Sequence, residues 1–593
     1  MGSVIDDSFL LFCLCHSTQP HTHFPPRFLR ALIFIYNRPQ LSYGFAYASL
    51  KKEFTLMAKA PAKKKASKGF EETLWDTANQ LRGSVESSEY KHVVLSLVFL
   101  KFISDKFETK REQLKTTGME AFVDMPEFYQ QDNIFFLPEV ARWSYVKVRA
   151  KQDDIAVVID TALATIEKSN ASLKGALPDN YFSRMNLEVK RLASLIDTVE
   201  NINTLADECG EHLSSEDLIG RVYEYFLGRF AANEGKGGGE FYTPKSVVTL
   251  LADMLEPYQG KVYDPCCGSG GMFVQSLKFV ESHQGKSKDI AIYGQELTST
   301  TYKLAKMNLA IRGLTGNLGE RPADTFHDDQ HQDLKADYIM ANPPFNLKNW
   351  RNDAELTDDT RFAGFPTPPT GNANYAWILH MLSKLGEAGT AGFVLANGSM
   401  SSNTSGEGDI RAKLVNDDRI ECMIALPGQL FFTTQIPVCL WFMSKSKAAN
   451  PKFGYRDRTG ETLFIDAREM GTMVSRVNKE LTADDIAKIA DTFHAWRSDE
   501  SEMQRRLEAK EIRIAHYEDQ AGFCKVATIA EIAANDFVLT PGRYVGAADL
   551  EDDGIPFETK MTELTQTLYR QLDEAEALDK AIRANMEALG YGE

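Results

Sequence analysis

In Asn342-Pro343-Pro344-Phe345 each residue type has something to offer a planar base that carries an amino group. The Asn342 carboxamide oxygen and the Pro343 carbonyl, which has no competing N–H beside it, can accept the two amino hydrogens, and the Phe345 ring can stack on the base. Two successive prolines also end the apolar run Tyr338 to Ala341, because residues without N–H donors cannot continue a sheet ladder. A rigid turn at the carboxyl end of a buried strand is where an open α/β sheet binds its ligands.

Two glycine-rich stretches upstream suit a nucleotide-like ligand. The strand Lys261 to Asp264 turns through Pro265-Cys266-Cys267-Gly268-Ser269-Gly270-Gly271 into a helix from Met272 and Phe273, and glycines there let the backbone approach a ligand closely. The stretch lacks the Gly-Lys-Ser/Thr of a P-loop and the Gly-x-Gly-x-x-Gly of dinucleotide enzymes, which argues against ATP phosphates and NAD. Earlier, a glycine loop from Glu234 leads through Glu240, Phe241 and Tyr242 to Thr243-Pro244, a hydroxyl cap followed by a proline at the first helical position. The N–H groups of that helix can meet a carboxylate. A second strand from Ile290 ends in Glu296, an acid placed to bind two ribose hydroxyls.

These pieces need a sheet to hold them. Runs at 392–396, 420–426 and 437–442 alternate with helices from Asn374 and Ile410, the pattern of a mostly parallel α/β sheet. The polar, proline-rich stretch from Lys348 to Gly371 reads as a long loop beside the site, either mobile or ordered by nucleic acid. Phe431 and its neighbours to Thr434 either line a base pocket or pack beneath the sheet. Helical periodicity fills 70–215, with Lys91, Lys101 and Lys106 read as a solvated face, and a linking helix runs from Asp217 to Leu227. The catalytic domain is expected over 216–475 and a helical region over 476–593. That region ends in a helix from Phe557, with Met561, Leu564, Leu568, Leu572, Leu578 and Ile582 near heptad spacing.

Composition narrows the class. A chain of 593 residues is long enough for several cores. Its eight cysteines are scattered without a CxxC pair, which points to a reducing cytoplasm and away from structural zinc or disulfides. The apolar runs within 1–56 are too short to span a bilayer, so this segment reads as a non-core extension, with a membrane or partner anchor as the rival. A lysine-rich flexible lead, 57–69, follows. The net charge of −17 is awkward for a chain that grips DNA alone, because duplex affinity comes from cations that displace counterions.

The Asn-Pro-Pro-Phe turn resembles the catalytic motif of amino-group DNA methyltransferases, and Asp264-Pro-x-x-Gly-x-Gly270 resembles their S-adenosyl-L-methionine loop. The order of motifs is similar to that of gamma-type N6-adenine enzymes. The stretch Asp217 to Phe241, the Asp264 to Phe273 loop, Gly371-Asn-Ala-Asn-Tyr-Ala-Trp377 and Leu426-Pro-Gly-Gln-Leu-Phe431 look like the modification subunit of type I restriction-modification systems. The resemblance runs from about Phe70 to the carboxyl end. It implies a Rossmann-like methyltransferase sheet between an all-helical domain and a helical tail, with Asp264 facing the methionyl ammonium and Asp324 hydrogen-bonding the cofactor adenine. Glu240 to Thr243, Cys266, Gly268 to Phe273 and Glu296 complete the expected cofactor set, and no metal is expected. Methyl transfer to an amino nitrogen needs no covalent intermediate, so Cys266 and Cys267 read as small packing residues. The implied partners are double-stranded DNA, one specificity (S) subunit per two copies of this chain, and a restriction (R) subunit. Two other classes stay open: methylation of another planar amide, such as a protein glutamine, and a silent assembly module.

Overall fold

A computed structural model describes residues 75–76, 79, 87–132, 134–185, 187–201, 243–282, 289–431, 434–547 and 557–588. All of these belong to one compact unit, Thr73–Glu593. The expected extension 1–56, the lead 57–69, the linking helix from Asp217, and Glu240, Phe241 and Tyr242 lie outside the described residues.

The strand before Asn342 sits near the middle of a nine-stranded sheet. Its members are β1 (Gly260–Asp264), β2 (Ile290–Gly294), β3 (Gly316–Asn317), β4 (Ala336–Ala341), β5 (Leu385–Ala396), β6 (Ile420–Ala425), β7 (Val438–Ser444), β8 (Glu461–Asp466) and β9 (Cys524–Thr528). Their spatial order is β9-β8-β6-β7-β5-β4-β1-β2-β3. β1 is parallel to both β2 and β4, and β4 is parallel to β5, so Asp264 and Asn342 leave neighbouring strands at the same end of the sheet. β7 runs against both β5 and β6. Among the described residues no helix separates it from β6, and a parallel return would need a crossover, usually helical.

Apolar faces on both sides of the sheet are covered. On one side α4 (Lys245–Leu255) and α9 (Ala483–Arg497) pack over Met340, Val394, Leu440 and Phe442. On the other, α7 (Asn374–Lys384) and α8 (Glu407–Asn416) cover Ile339, Phe393, Met423 and Trp441. α5 (Gly271–Ser282) and α6 (Ser299–Ile311) enclose the β1–β2 edge. Before the sheet come α1 (Ser87–Thr116), α2 (Ile155–Ser169) and α3 (Val189–Glu200), with Val93 to Leu95, Leu97 to Leu100, Phe102, Ile103 and Phe107 buried along α1. Lys101 is not on a solvated face: it is buried beside Asp105, with 2.5 Å between their charged groups. The Lys106 ammonium lies 5.0 Å from the centre of the Phe102 ring, and burial lowers its pKa.

The run after 475, expected to be helical, is corrected by β9, which pairs antiparallel with β8 (Val526 opposite Leu463). Cys-Lys-Val-Ala-Thr has weak alternation of its own, and the open edge of β8 decides its state. Helix α10 (Glu500–Glu508) follows α9, and Tyr544 stacks on Phe464 with ring centres 3.9 Å apart. The segment up to 547 is thus part of the sheet's core. Helix α11 (Phe557–Ala588) follows, with Leu564, Leu568, Leu572 and Leu578 exposed.

Candidate active site

Asp264 ends β1 almost fully buried, and its Oδ1 accepts the Cys266 N–H at 3.0 Å. The loop then turns through Gly268 (φ 54°) and Gly270 (φ 79°), left-handed positions that favour glycine. The ends of β1 and β2 are stitched together: Gln295 N–H donates to the Asp264 carbonyl at 3.1 Å, and Cys267 N–H to the Gln295 carbonyl at 2.9 Å. Asn308, inside α6, donates from Nδ2 to the Ser269 carbonyl at 2.8 Å and fixes the loop from the far side.

Burial pushes the Asp264 carboxyl up to about 7, and nearby Glu296 adds to the rise. Burial also drives the Cys266 and Cys267 thiols well above their ordinary value, so neither is poised as a thiolate. A carboxyl held this way favours a bound cation, which would restore its charge.

Asn342 faces this loop from the end of β4. Its Nδ2 donates to Thr243 Oγ1 at 2.9 Å, just ahead of Pro244, which caps α4. Its Oδ1 is buried and has no hydrogen-bond partner among the described residues. An amide oxygen in that state is costly unless a ligand donor meets it. Thr243, Asp264, Cys266, Gly268, Ser269, Gly271, Met272 and Asn342 line one cleft. Lys245, Gln275 and Asn308 also line it and were not singled out from the sequence. Asn308 had a signal, an amide on the buried face of an apolar helix.

Other expected residues stand elsewhere. Phe273 is fully buried under β2, where a Cβ on Gly294 would come within 2.9 Å of its ring. Gly270 faces Ala305 of α6. Glu296 accepts the Gly268 N–H at 3.0 Å and the Thr298 N–H at 2.8 Å, so its carboxylate braces the glycine loop. Asp324 turns back to accept the Phe326 N–H at 2.8 Å and lies 3.2 Å from His327 Nδ1. Pro343 is buried, Pro344 and Phe345 are half-buried, and the Phe345 ring meets the buried Phe431 edge-on at 5.9 Å.

The proline-rich loop is tied down rather than loose. Arg361 donates to the Thr325 carbonyl at 2.8 Å and the Phe326 carbonyl at 2.5 Å while pairing with Asp359. It also lies 3.3 Å from His380 Nδ1. Burial, with the Arg361 charge, holds His380 at about 3, so the imidazole is neutral. Trp350 is buried and donates from Nε1 to the Pro369 carbonyl at 2.8 Å.

The segment 214–553 matches the family model of N-6 DNA methylases, and 70–199 matches that of the HsdM N-terminal domain. The chain is 49% identical over 444 residues to the type I restriction enzyme HindI methylase subunit of Haemophilus influenzae, covering 74% of this chain and 94% of that one. It is 38% identical to the MjaIX methylase subunit of Methanocaldococcus jannaschii, over 88% of this chain and 92% of the other. The crystal structure of the type I methyltransferase subunit from Streptococcus thermophilus shares the fold, with a TM-score of 0.63 at 24% identity, covering 81% of this chain and 99% of that one. Sheet, cleft and family model together define an N6-adenine DNA methyltransferase. More narrowly, the chain belongs to the methylase subunits of type I restriction enzymes. Among the described residues no helix is long and apolar enough to cross a membrane.

Proposed function

We propose that the cleft binds S-adenosyl-L-methionine and that an adenine turned out of double-stranded DNA enters against Asn342-Pro-Pro-Phe345. The observation that carries this reading is the buried Asn342 Oδ1, unpartnered among the described residues, at the rim of the glycine-loop cleft. The donor set fits the cofactor. Asp264 suits its ammonium, and the loop glycines admit its backbone-sized parts. Thr243 and the start of α4 suit its carboxylate. Glu296 and Asp324 are the candidates for ribose and adenine, provided each exchanges a present N–H partner for a ligand hydroxyl or amine. Glu240, Phe241 and Tyr242 close the same set on the sequence pattern alone.

Bound S-adenosyl-L-methionine supplies an electrophilic sulfonium methyl. The chain's work is to make a poor nucleophile competent, because the N6 lone pair is delocalised into the adenine ring. Asn342 Oδ1 and the Pro343 carbonyl accept the two N6 hydrogens, pull the nitrogen toward tetrahedral geometry and free the lone pair for in-line attack, the S–CH3 bonding pair staying on the cofactor sulfur and one N6 proton leaving past these acceptors to solvent. Pro344 keeps the turn rigid. Phe345 stacks on the base and offsets part of the unstacking cost of a few kcal/mol. Fixed acceptors, rather than a titrating histidine, carry the rate.

In this reading the chain works in the cytoplasm with an S subunit that reads DNA, two copies of this chain to one S, and an R subunit can join. The charge of −17 and the exposed apolar stripe of α11 support a partner-borne DNA grip. Coexpression with the S subunit, followed by sequencing for N6-methyladenine, tests it. Site-specific methylation by the complex and weak, unspecific methylation by the isolated chain are expected. Robust site-specific activity of this chain alone would refute the partner requirement.

A further inference from the structure

Beyond β8 the chain makes a hairpin whose composition is unusual for a solvent-facing tip. Met473 pairs with Lys479 and Thr472 with Glu480, and the N–H groups of Val474 and Ser475 both donate to the Asn478 carbonyl, at 3.0 and 3.2 Å. Met473, Val474 and Val477 are 50%, 58% and 52% exposed, with exposed Arg476 among them. Ile436, from the loop alongside, is 59% exposed. Arg476 and Lys479 have no ion-pair partner among the described residues. In a chain of net charge −17, two unpaired cations flanking an apolar tip are conspicuous.

Position gives this tip its meaning. Its root is fixed at the catalytic end of the sheet, where Ala467 N–H donates to the Ala425 carbonyl at 2.9 Å. Lys479 N–H donates to the Gln429 carbonyl at 2.9 Å, and Gln429 sits in the left-handed region at φ 67°. From there the chain reaches Phe431, whose ring abuts Phe345. Hairpin and catalytic turn are therefore joined through one short segment, Gln429 to Phe431.

We infer that the hairpin 471–480 is a DNA-contacting element of this enzyme. Val474, Val477 and Met473 press apolar surface against the base pairs beside the extruded adenine, as apolar wedges do where stacking is broken. Arg476 and Lys479 pair with the flanking phosphates. The inference rests on the proposed function and adds to it the surface by which this chain itself, and not only its partner, meets the duplex.

The test uses the complex coexpressed with the S subunit and a duplex in which 2-aminopurine replaces the target adenine. The double variant Arg476→Ala/Lys479→Ala should weaken duplex binding about tenfold and make the plot of log K against log salt shallower by roughly 1–2. Val474→Ser/Val477→Ser should lower the 2-aminopurine fluorescence that reports base extrusion while changing the salt slope little. Both should keep subunit composition, melting temperature and S-adenosylmethionine affinity. Wild-type salt slope and fluorescence in the two variants would overturn the inference. So would loss of the S subunit on size exclusion, which would make the hairpin a protein-docking element. Failure of the wild-type complex to methylate any duplex would instead remove the functional reading beneath it.

Discussion

Asn374 and Asn346 grip each other twice: Asn374 Oδ1 accepts the Asn346 N–H at 3.0 Å, and Asn374 Nδ2 donates to Asn346 Oδ1 at 2.9 Å. Asn346 directly follows Phe345 and sits at φ 54°, in a region that non-glycine residues visit at a cost. Asn374 is fully buried at the start of α7, so the turn that carries Asn342 to Phe345 is held from a helix. Replacing Asn374 by Ala should lower methylation turnover by about tenfold with little change in S-adenosylmethionine affinity, and destabilise the fold by about 0.5–1.5 kcal/mol per hydrogen bond lost, since the Asn346 groups left behind can meet water. Asn374→Asp keeps the acceptor and loses the donor, and should fall between. Steady-state kinetics and denaturant unfolding check both.

Asn342→Ala should reduce turnover by on the order of 10²–10³-fold, the scale of a lost preorganised hydrogen-bonding group. Cofactor affinity should fall only a few-fold, through the lost Nδ2 bond that holds Thr243, because the lost oxygen serves the target base. Calorimetry with S-adenosylmethionine checks this, and loss of cofactor binding would place Asn342 in the wrong half of the site.

Cofactor affinity should rise with pH across neutrality. Burial holds the Asp264 carboxyl at about 7, and it must be ionised to face an ammonium. Affinity should therefore fall on the order of tenfold from pH 8 to pH 6, and Asp264→Asn should bind weakly with little pH dependence. The sign for folding stability is the reverse. A carboxyl raised above its unfolded value of about 3.9 keeps its proton longer when folded, so its contribution to stability falls as pH rises from about 4 to about 7. Calorimetric titrations and melts at matched pH check the pair of trends.

Arg361→Ala should free the loop 348–371. Hydrogen exchange there should accelerate, and Thr325 and Phe326 should lose protection with it, since one guanidinium holds both. Arg361→Lys should rescue poorly, because a point charge cannot replace the planar fork. Exchange confined to wild-type rates would show that Trp350 and Phe362 suffice.

Gly294→Ala should destabilise the protein by about 1–3 kcal/mol through overpacking. The added Cβ would sit 2.8 Å from Leu318 Cδ2 and 2.9 Å from Phe273 Cζ. Urea unfolding checks it.

The parts legible in the sequence were those that local chemistry decides. Prolines end β4, and glycines take the left-handed positions of the Asp264 loop. Apolar runs locate the strands from β4 to β7. What escaped depends on partners far along the chain. The Phe273 ring packs under β2 instead of facing the cleft, and Glu296 meets the Gly268 N–H across 28 positions. β9 forms because β8 offers an edge, and Arg361, in a stretch read as a long loop, either mobile or ordered by nucleic acid, finds its carbonyl partners 35 and 36 positions upstream. No window of local periodicity contains those pairs.

The anchoring of 348–371 has a thermodynamic side. Ordering a backbone residue costs about 1–2 kcal/mol in conformational entropy. A segment already folded on Arg361, Trp350 and Phe362 does not meet that cost when DNA arrives. In the proposed DNA complex this loop then needs no folding step, and the heat-capacity change on binding DNA should carry no signature of it.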